Sequence, residues 1–239
     1  MGSVQTTTGN YLKSPTTPIP TPTGNWFFCC WVKQATANYV AGDHVSMSLT
    51  QSPGGVGEGF TLDAGAFAAT SLSAVLFSNG GASLAHNEFL TGSDTAWVHI
   101  CIQHVSASAN YTVRWRKENA TVYNTFTLTT GALLLLAGTD LAFFVGNDIF
   151  NEFSIDSSAC QFVCQQTTIS DAQLLTISQN LSTTPSGTNL HYLILNTATN
   201  AQINGGTGGN WTVTGTLQTN PSQPTEMSES LFFGSGTTS

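Results

Sequence analysis

Residues 159–174, ACQFVCQQTTISDAQL, constrain the fold of this chain more than any other stretch. Cys160, Phe162 and Cys164 alternate with Gln161, Val163 and Gln165, the two-residue period of a β-strand. Ser170 and Gln173 then stand three apart, the spacing of a capping box. In that motif the serine hydroxyl accepts from the N–H at Gln173, and the glutamine side chain reaches back to the N–H of Ser170. Ile169 and Leu174 flank the cap at the places of a hydrophobic staple. The segment predicts a strand that closes on one short helix near residues 170–176, in a chain that is otherwise poor in helical pattern.

The rest of the sequence reads as many short strands. Residues 26–33, 44–50, 59–62, 74–77, 97–105, 111–116, 121–128, 142–145 and 160–165 are strand-like, with Gly- and Asn-rich breaks such as SPGGVGEG at 52–59 between them. Such an alternation of strands and turns predicts an all-β sandwich. HYLILN at 191–196 and WTVTGTL at 211–217 are expected to complete the sheets. The apolar run 133–136 fits either a strand or a loop packed on the sandwich. Residues 1–24 are expected to be an extended N-terminal arm and lead-in strand, because SPTTPIPTPTG at 14–24 favours an extended chain. Residues 25–220 would form the sandwich, and 221–239 a polar tail carrying the apolar patch Leu231 to Phe233. Such a patch is out of place on a polar tail unless it docks on this domain or on a neighbour.

Three segments resemble the laminin-G-like, concanavalin-A-like jelly-roll domains. The closing strand and helix of those domains read ID-x-V-x-[IL]-[YW]-N-x-x-LS-x-x-[EQ]-[IL], and Ala159, Phe162, Cys164, Ile169, Ser170, Gln173 and Leu174 fall on the matching places. WFFCCWVK at 26–33 is similar to the early F-T-x-x-x-W-[VI]-[KR] strand, and WVHICIQ at 97–103 to the central W-x-H-[IV]-x-[IV] strand. Residues 111–115 resemble the partner strand of the following hairpin. The departures are cysteines where Ala or Ile is usual, and Gln165 where an aromatic is common. The resemblance implies an antiparallel jelly-roll β-sandwich, concanavalin A-like, with one short helix. It also implies a structural core that includes Trp31, Trp97, Phe162, Cys164, Ile169 and Leu174.

Charge excludes some functions. A net charge of −8 with five Lys plus Arg argues against nucleic acid, which needs a basic stripe to replace phosphate counterions. Arg114, Arg116 and Lys117 form a basic cluster that reads as a solvated hairpin edge. Charged residues are 8% of the chain, so its surface must be made of Thr, Ser, Asn, Gln and Gly, and its contacts should depend weakly on salt. No apolar stretch approaches the roughly 20 residues of a membrane span. The first residues lack the basic and apolar regions of a signal peptide, so synthesis in a host cytoplasm is expected.

The five cysteines read as buried free thiols. Cys29 and Cys30 are neighbours on one strand, so only one of them is expected to enter the core. Cys160 and Cys164 would lie about 13 Å apart on a strand, too far for zinc.

Catalytic patterns are missing. The E-x-D-x-x-E string of concanavalin-A-like glucanases is absent, the carboxylates are scattered through turn-rich segments, and there is no G-x-S-x-G elbow. The chain is therefore expected not to be an enzyme and to hold no cofactor. Asn147, Asp148, Asn151, Glu152 and Asp156 crowd one loop, which fits either turn formation or a bound Ca2+. Trp115 is the candidate for a sugar-stacking aromatic, against its alternative as a cross-strand packing residue.

Low charge, an export-free start, a proline-rich arm and an apolar tail patch suit a part built in the cytosol and used outside it. The expected function is a non-enzymatic bacteriophage virion structural protein, a capsid decoration (cement) protein that binds neighbouring capsid or tail subunits, as a homo-oligomer located on the virion. The alternative is a lectin-like tail fibre or receptor-binding module that recognises a host surface glycan.

Overall fold

The computed structural model describes residues 11–16, 18–21, 23–34, 47–51, 59–64, 71–77, 83–91, 96–129, 141–146, 157–180, 184–195, 203–216, 218–220, 224 and 230–233. The elements in chain order are β1 (Tyr11–Lys13), β2 (Trp26–Gln34), β3 (Met47–Gln51), β4 (Gly59–Ala64), β5 (Ser71–Phe77), β6 (Ser83–Thr91), β7 (Val98–His104), β8 (Asn110–Lys117), β9 (Asn124–Thr129), β10 (Leu141–Gly146) and β11 (Ser157–Gln165). They continue with α1 (Asp171–Ser178), β12 (Asn189–Leu193), β13 (Thr212–Thr214), β14 (Gln218–Asn220) and β15 (Ser230–Phe233).

These strands build the expected antiparallel jelly-roll sandwich with one short helix. One sheet runs β13-β1-β10-β3-β4-β5-β6 and the other β14-β15-β11-β2-β7-β8-β9. In the second sheet β11 pairs with β2 along one edge. Its other edge is shared, by β15 opposite Ser157 to Ala159 and by β12 opposite Phe162 to Gln165.

Both termini of the described chain enter the sheets. Residues 11–13, within the expected extended arm and lead-in strand, form β1 and pair with β10 and β13. Ser14 fixes this entry, with its N–H donating to the Phe143 carbonyl at 3.0 Å and its Oγ accepting from the Phe143 N–H at 2.9 Å. Leu12 and Ile19 are buried in the core. Leu231 to Phe233, expected on a tail, form β15 and dock by backbone pairing on β11 of this same domain. β6, β14 and β15 lie where the sequence predicts no strand. The apolar run 133–136 lies outside the described residues.

The inter-sheet core joins Leu12, Met47, Leu49, Phe60, Leu62 and Phe143 of the first sheet to Trp26, Phe28, Cys30, Val32, Ile100, Val113, Phe162 and Cys164 of the second. Phe28 sits at its centre, 4.9 Å from the Phe143 ring, 5.8 Å from Phe60 and 6.1 Å from Phe162. Each fully buried ring of this size contributes about 1.5–3 kcal/mol over an exposed one.

The second sheet is covered on its outer face too. Ile169, Leu174 and Ile177 of the helical segment pack on Phe27, Cys29, Cys101, Tyr123, Val163 and Tyr192. Both Cys29 and Cys30 are therefore buried, contrary to the expectation that only one would be, because the helix supplies a second apolar layer. Double burial also explains why WFFCCWV in β2 is continuously apolar and why every residue of β7 is buried.

Strict alternation fails within β11. The β11–β2 register shifts between Cys160 and Phe162, where Gln161 bulges out with a φ of 55°. Cys160 is thereby moved off the face of Phe162 and Cys164, and clusters with Trp31 and Trp97. Trp31 and Trp97 are buried, at 0% and 1% exposure, but on the outer face rather than between the sheets. Phe162 and Cys164 do lie between the sheets.

The loop after β12 folds back along that strand. Gly205 N–H donates to the Tyr192 carbonyl at 2.8 Å, Thr207 N–H to Asn189 at 3.0 Å and Gly208 N–H to Leu190 at 2.7 Å. The Asn204 amide ties the turn together, accepting from Tyr192 N–H and Gly206 N–H and donating to the Leu190 and Gly209 carbonyls. A Cβ at Gly206 would meet the backbone oxygens of Leu190 at 2.5 Å and Asn189 at 2.7 Å. Gly206→Ala is expected to cost about 2–3 kcal/mol by overpacking. Calorimetry should show the midpoint falling by roughly 5–10 °C.

Candidate functional site

Helix α1 is built locally and then fastened to the sheet. Ser170 is its N-cap, and both arms of the capping box are present. Ile169 and Leu174 are buried in one cluster, as a staple requires. The helix extends to Ser178, two residues beyond the sequence expectation.

Two arginines of β8 hold its two ends. Arg114 donates to the Ile169 carbonyl at 2.9 Å and pairs with Asp171 at 3.1 Å, while Gln103 Oε1 accepts from Ile169 N–H at 2.8 Å. Arg116 donates to Ser178 Oγ through Nε at 3.2 Å and Nη2 at 2.8 Å, and to the Ala120 carbonyl at 2.7 Å. Its guanidinium lies over the Trp31 ring at 4.7 Å and the Tyr123 ring at 5.8 Å. Trp31 Nε1 donates to the Ser178 carbonyl at 2.9 Å. The expectation of a solvated hairpin edge is overturned here. β8 lies between β7 and β9, and Arg116 is 0% exposed because the helix roofs the face it occupies.

The outer side of this helix forms one wall of a cleft of about 470 Å³, within the usual range for small-molecule sites. Ile169, Gln173, Thr176 and Ile177 line it from the helical side, Gln165 lies at the end of β11, and residues 184–187 close the far wall. The far wall is fixed by amides. Gln165 Nε2 donates to the Ser186 carbonyl and to Asn189 Oδ1, both at 2.8 Å, and Asn189 Nδ2 donates to the Pro185 carbonyl at 3.0 Å. Gly187 has a φ of +97°, and a Cβ on it would sit 3.2 Å from Gln165 Oε1. All the described residues lining the cleft are uncharged: Gln, Thr, Ile, Asn, Pro, Ser or Gly.

Among the described residues, several cysteines and histidines outside the cleft lining are held neutral by burial. Burial raises the thiols of Cys29, Cys30 and Cys164 and pushes Cys101 and Cys160 up to about 12. These thiols are poor nucleophiles. His99 shares a 2.7 Å hydrogen bond with the Tyr123 hydroxyl, and burial, then the charge of Arg116, holds it well below its ordinary value. Burial lowers His191 to about 4, although the Pro18 carbonyl opposes the shift.

Of the candidate site and core residues named from the sequence, Ile169 lines the cleft, as do Gln173 of the capping box and Gln165, and the others among the described residues do not. Trp115 is half-buried on β8 and packs against the inter-sheet core. Trp26, Trp31, Trp97 and Trp211 are buried. Asn147, Asp148, Asn151, Glu152 and Asp156 lie outside the described residues. Among the described residues there is no group of three or more metal-ligating side chains, and no helix is long and apolar enough to cross a membrane. Sequence reasoning missed Gln165 and residues 184–187 as site components. The one available signal was Gln165 itself, standing where the resembled family commonly has an aromatic.

No protein-family model and no curated protein matches the sequence. Among solved structures the chain is similar to a heptameric SAP-like pentraxin from Limulus polyphemus, at 11% identity and a TM-score of 0.48, over 75% of this chain and 80% of that one. It is similar to the CBM40 domain of the Ruminococcus gnavus IT-sialidase, at 11% identity and a TM-score of 0.45, over 74% of this chain and 96% of that one. A third similarity is to the LG1-3 region of the laminin alpha2 chain, at 14% identity and a TM-score of 0.46, over 68% of this chain and 31% of that one. The likeness is one of fold.

The buried groups predict two measurable responses. Arg116→Met leaves Ser178 Oγ and the Ala120 carbonyl without their charged donor. It is expected to lower unfolding free energy by about 2–3 kcal/mol in urea melts. For His99 and His191 the folded state disfavours the proton, so the unfolded chain binds more protons below the ordinary value of 6.5. Stability is then complete above that value and falls as pH drops, by about 1.4 kcal/mol per unit for each histidine. The His191 share levels off near pH 4. Urea melts across this window should show the decline, and His191→Gln should make it shallower.

Proposed function

We propose that this chain is a non-enzymatic carbohydrate-binding module displayed on a bacteriophage particle, where it serves attachment to a host surface glycan. The observation that carries this reading is the cleft beside α1, lined by amides and hydroxyls with the apolar side chains of Ile169, Ile177 and Pro185 among them. Sugars present the same mixture, hydroxyls that both donate and accept together with apolar C–H faces. General acid–base chemistry needs a titratable group within reach of the bond to be broken. The described lining supplies none.

The second reading, a capsid decoration protein, is favoured by the composition, since 8% charged residues suit a closely packed protein shell. It is weakened by the apolar patch, expected to dock on this domain or on a neighbour, and by the N-terminal arm and lead-in strand. Residues 11–13 and 231–233 pair inside this domain.

Glycan-array screening of the purified chain tests the proposal, and binding to at least one glycan family is the expected outcome. Because the described lining is uncharged, affinity should be the same at low and high salt. It should also persist in EDTA. Loss in EDTA would bring the 147–156 loop and a calcium ion into the site. An array without bound spots, together with labelling of the protein on capsids rather than at the tail tip, would reverse the preference in favour of the decoration role.

A further inference from the structure

The two glutamines of the cleft are committed to the protein through opposite ends of their side-chain amides. Gln165 is 4% exposed, and its Nε2 is used twice, toward the Ser186 carbonyl and Asn189 Oδ1. Among the described residues its Oε1 accepts no hydrogen bond. Gln173 is the reverse. Its Oε1 accepts from Ser170 N–H at 3.0 Å and Ser170 Oγ at 2.8 Å, which completes the capping box, and its Nε2 donates to no described residue. One fixed acceptor and one fixed donor therefore line the same cleft.

Neither glutamine can exchange its ends. Turning the Gln165 amide would set its oxygen against the Ser186 carbonyl, and turning Gln173 would set an NH2 against the Ser170 N–H. The hydroxyl of a plain sugar does not need such a fixed pair, because it rotates to suit a donor or an acceptor. A secondary amide does need it, since its N–H only donates and its C=O only accepts.

Resting on the carbohydrate reading, we propose that the cleft takes a neutral sugar bearing an acetamido group, an N-acetylhexosamine. The ligand N–H donates to Gln165 Oε1, and the ligand carbonyl accepts from Gln173 Nε2. The acetyl methyl lies against the apolar side chains of Ile169, Ile177 and Pro185. Gly187 keeps the acceptor open, because a side chain there would crowd Gln165 Oε1. Acidic sugars are not favoured, since no cation is among the described lining residues and the chain carries a net charge of −8.

Gln173→Glu gives a clean test, because Glu serves equally well as the third residue of a capping box and keeps the acceptor for Ser170. Only the donor facing the cleft is lost, replaced by an oxygen that repels a carbonyl. The full-length chain and this variant are applied to a neutral glycan array that pairs acetamido hexoses with the corresponding plain hexoses. Expected are wild-type signals concentrated on the acetamido members, a roughly tenfold loss of those signals in the variant (one charge-free hydrogen bond), and an unchanged melting temperature. Equal wild-type binding to plain hexoses, or undiminished acetamido binding by the variant, overturns the inference and leaves the carbohydrate reading standing. Failure to bind any glycan overturns both. Displacement by an N-acetylated tripeptide as effective as the best glycan overturns the inference in favour of a peptide ligand.

Discussion

The buried guanidinium of Arg116 is the contact on which the outer layer of this molecule depends. A helix of eight residues is too short to be stable alone in water, since nucleation is costly and few hydrogen bonds follow it. α1 persists because it is capped, stapled and docked. Arg116 performs the docking at the end of the helix where a positive charge is favourable, near the last carbonyls. Burying that charge would be expensive without compensation. Compensation comes from the oxygens of Ser178 and Ala120 and from the faces of Trp31 and Tyr123. Without the helix, Phe27, Cys29, Cys101 and Val163 would meet water on one side, and the cleft would lose a wall.

The features legible in the sequence were those with short-range signals. A capping box and a staple are set by spacings of three to five residues, and both formed as the spacing of Ser170, Gln173, Ile169 and Leu174 implies. Strands β2 and β7 were legible from their apolar runs, and β8 and β11 from the alternation of apolar and polar residues. Their two-sided burial was not used, although seven consecutive apolar residues in WFFCCWV already point to a strand with no solvent face. The Gln161 bulge left no signal, since the left-handed position it occupies is usually glycine. Reading Arg114 and Arg116 as solvated followed from the use of charges on exposed edge strands. Their face of β8 is covered by a helix more than fifty residues further along, which a local pattern does not reveal. The short strands β1, β14 and β15 are three or four residues each, with β1 and β15 held by distant β10, β13 and β11 and β14 held by β15.

The candidate site was less legible than the fold for a related reason. In a chain rich in Thr, Asn, Gln and Ser, an uncharged polar residue is the ordinary surface residue, and a site made of such residues has no compositional contrast. The sequence drew attention to the residue types that usually carry chemistry, the tryptophans and the acidic loop. Four of the five tryptophans proved to be buried, and Trp115 packs against the core. Gln103, Gln161 and Gln165 are all buried with one end of the amide engaged, and Gln165 is the one of the three that lines the cleft.

On the proposed reading, that engagement gives a chain with so few charges a defined recognition surface. Discrimination by uncharged groups depends on their being fixed before the ligand arrives, because ordering flexible side chains consumes much of the energy a hydrogen bond returns. Here the fixing is done by the fold's own requirements. Gln173 is held by the need to cap the helix, and Gln165 by the need to satisfy the carbonyls of the loop that follows. Each side chain serves the architecture with one end and faces the cleft with the other. The donor on the helix and the acceptor on the strand therefore keep their relative places only while α1 stays docked, which makes Arg116, remote from the cleft, a determinant of the cleft's geometry as well as of stability.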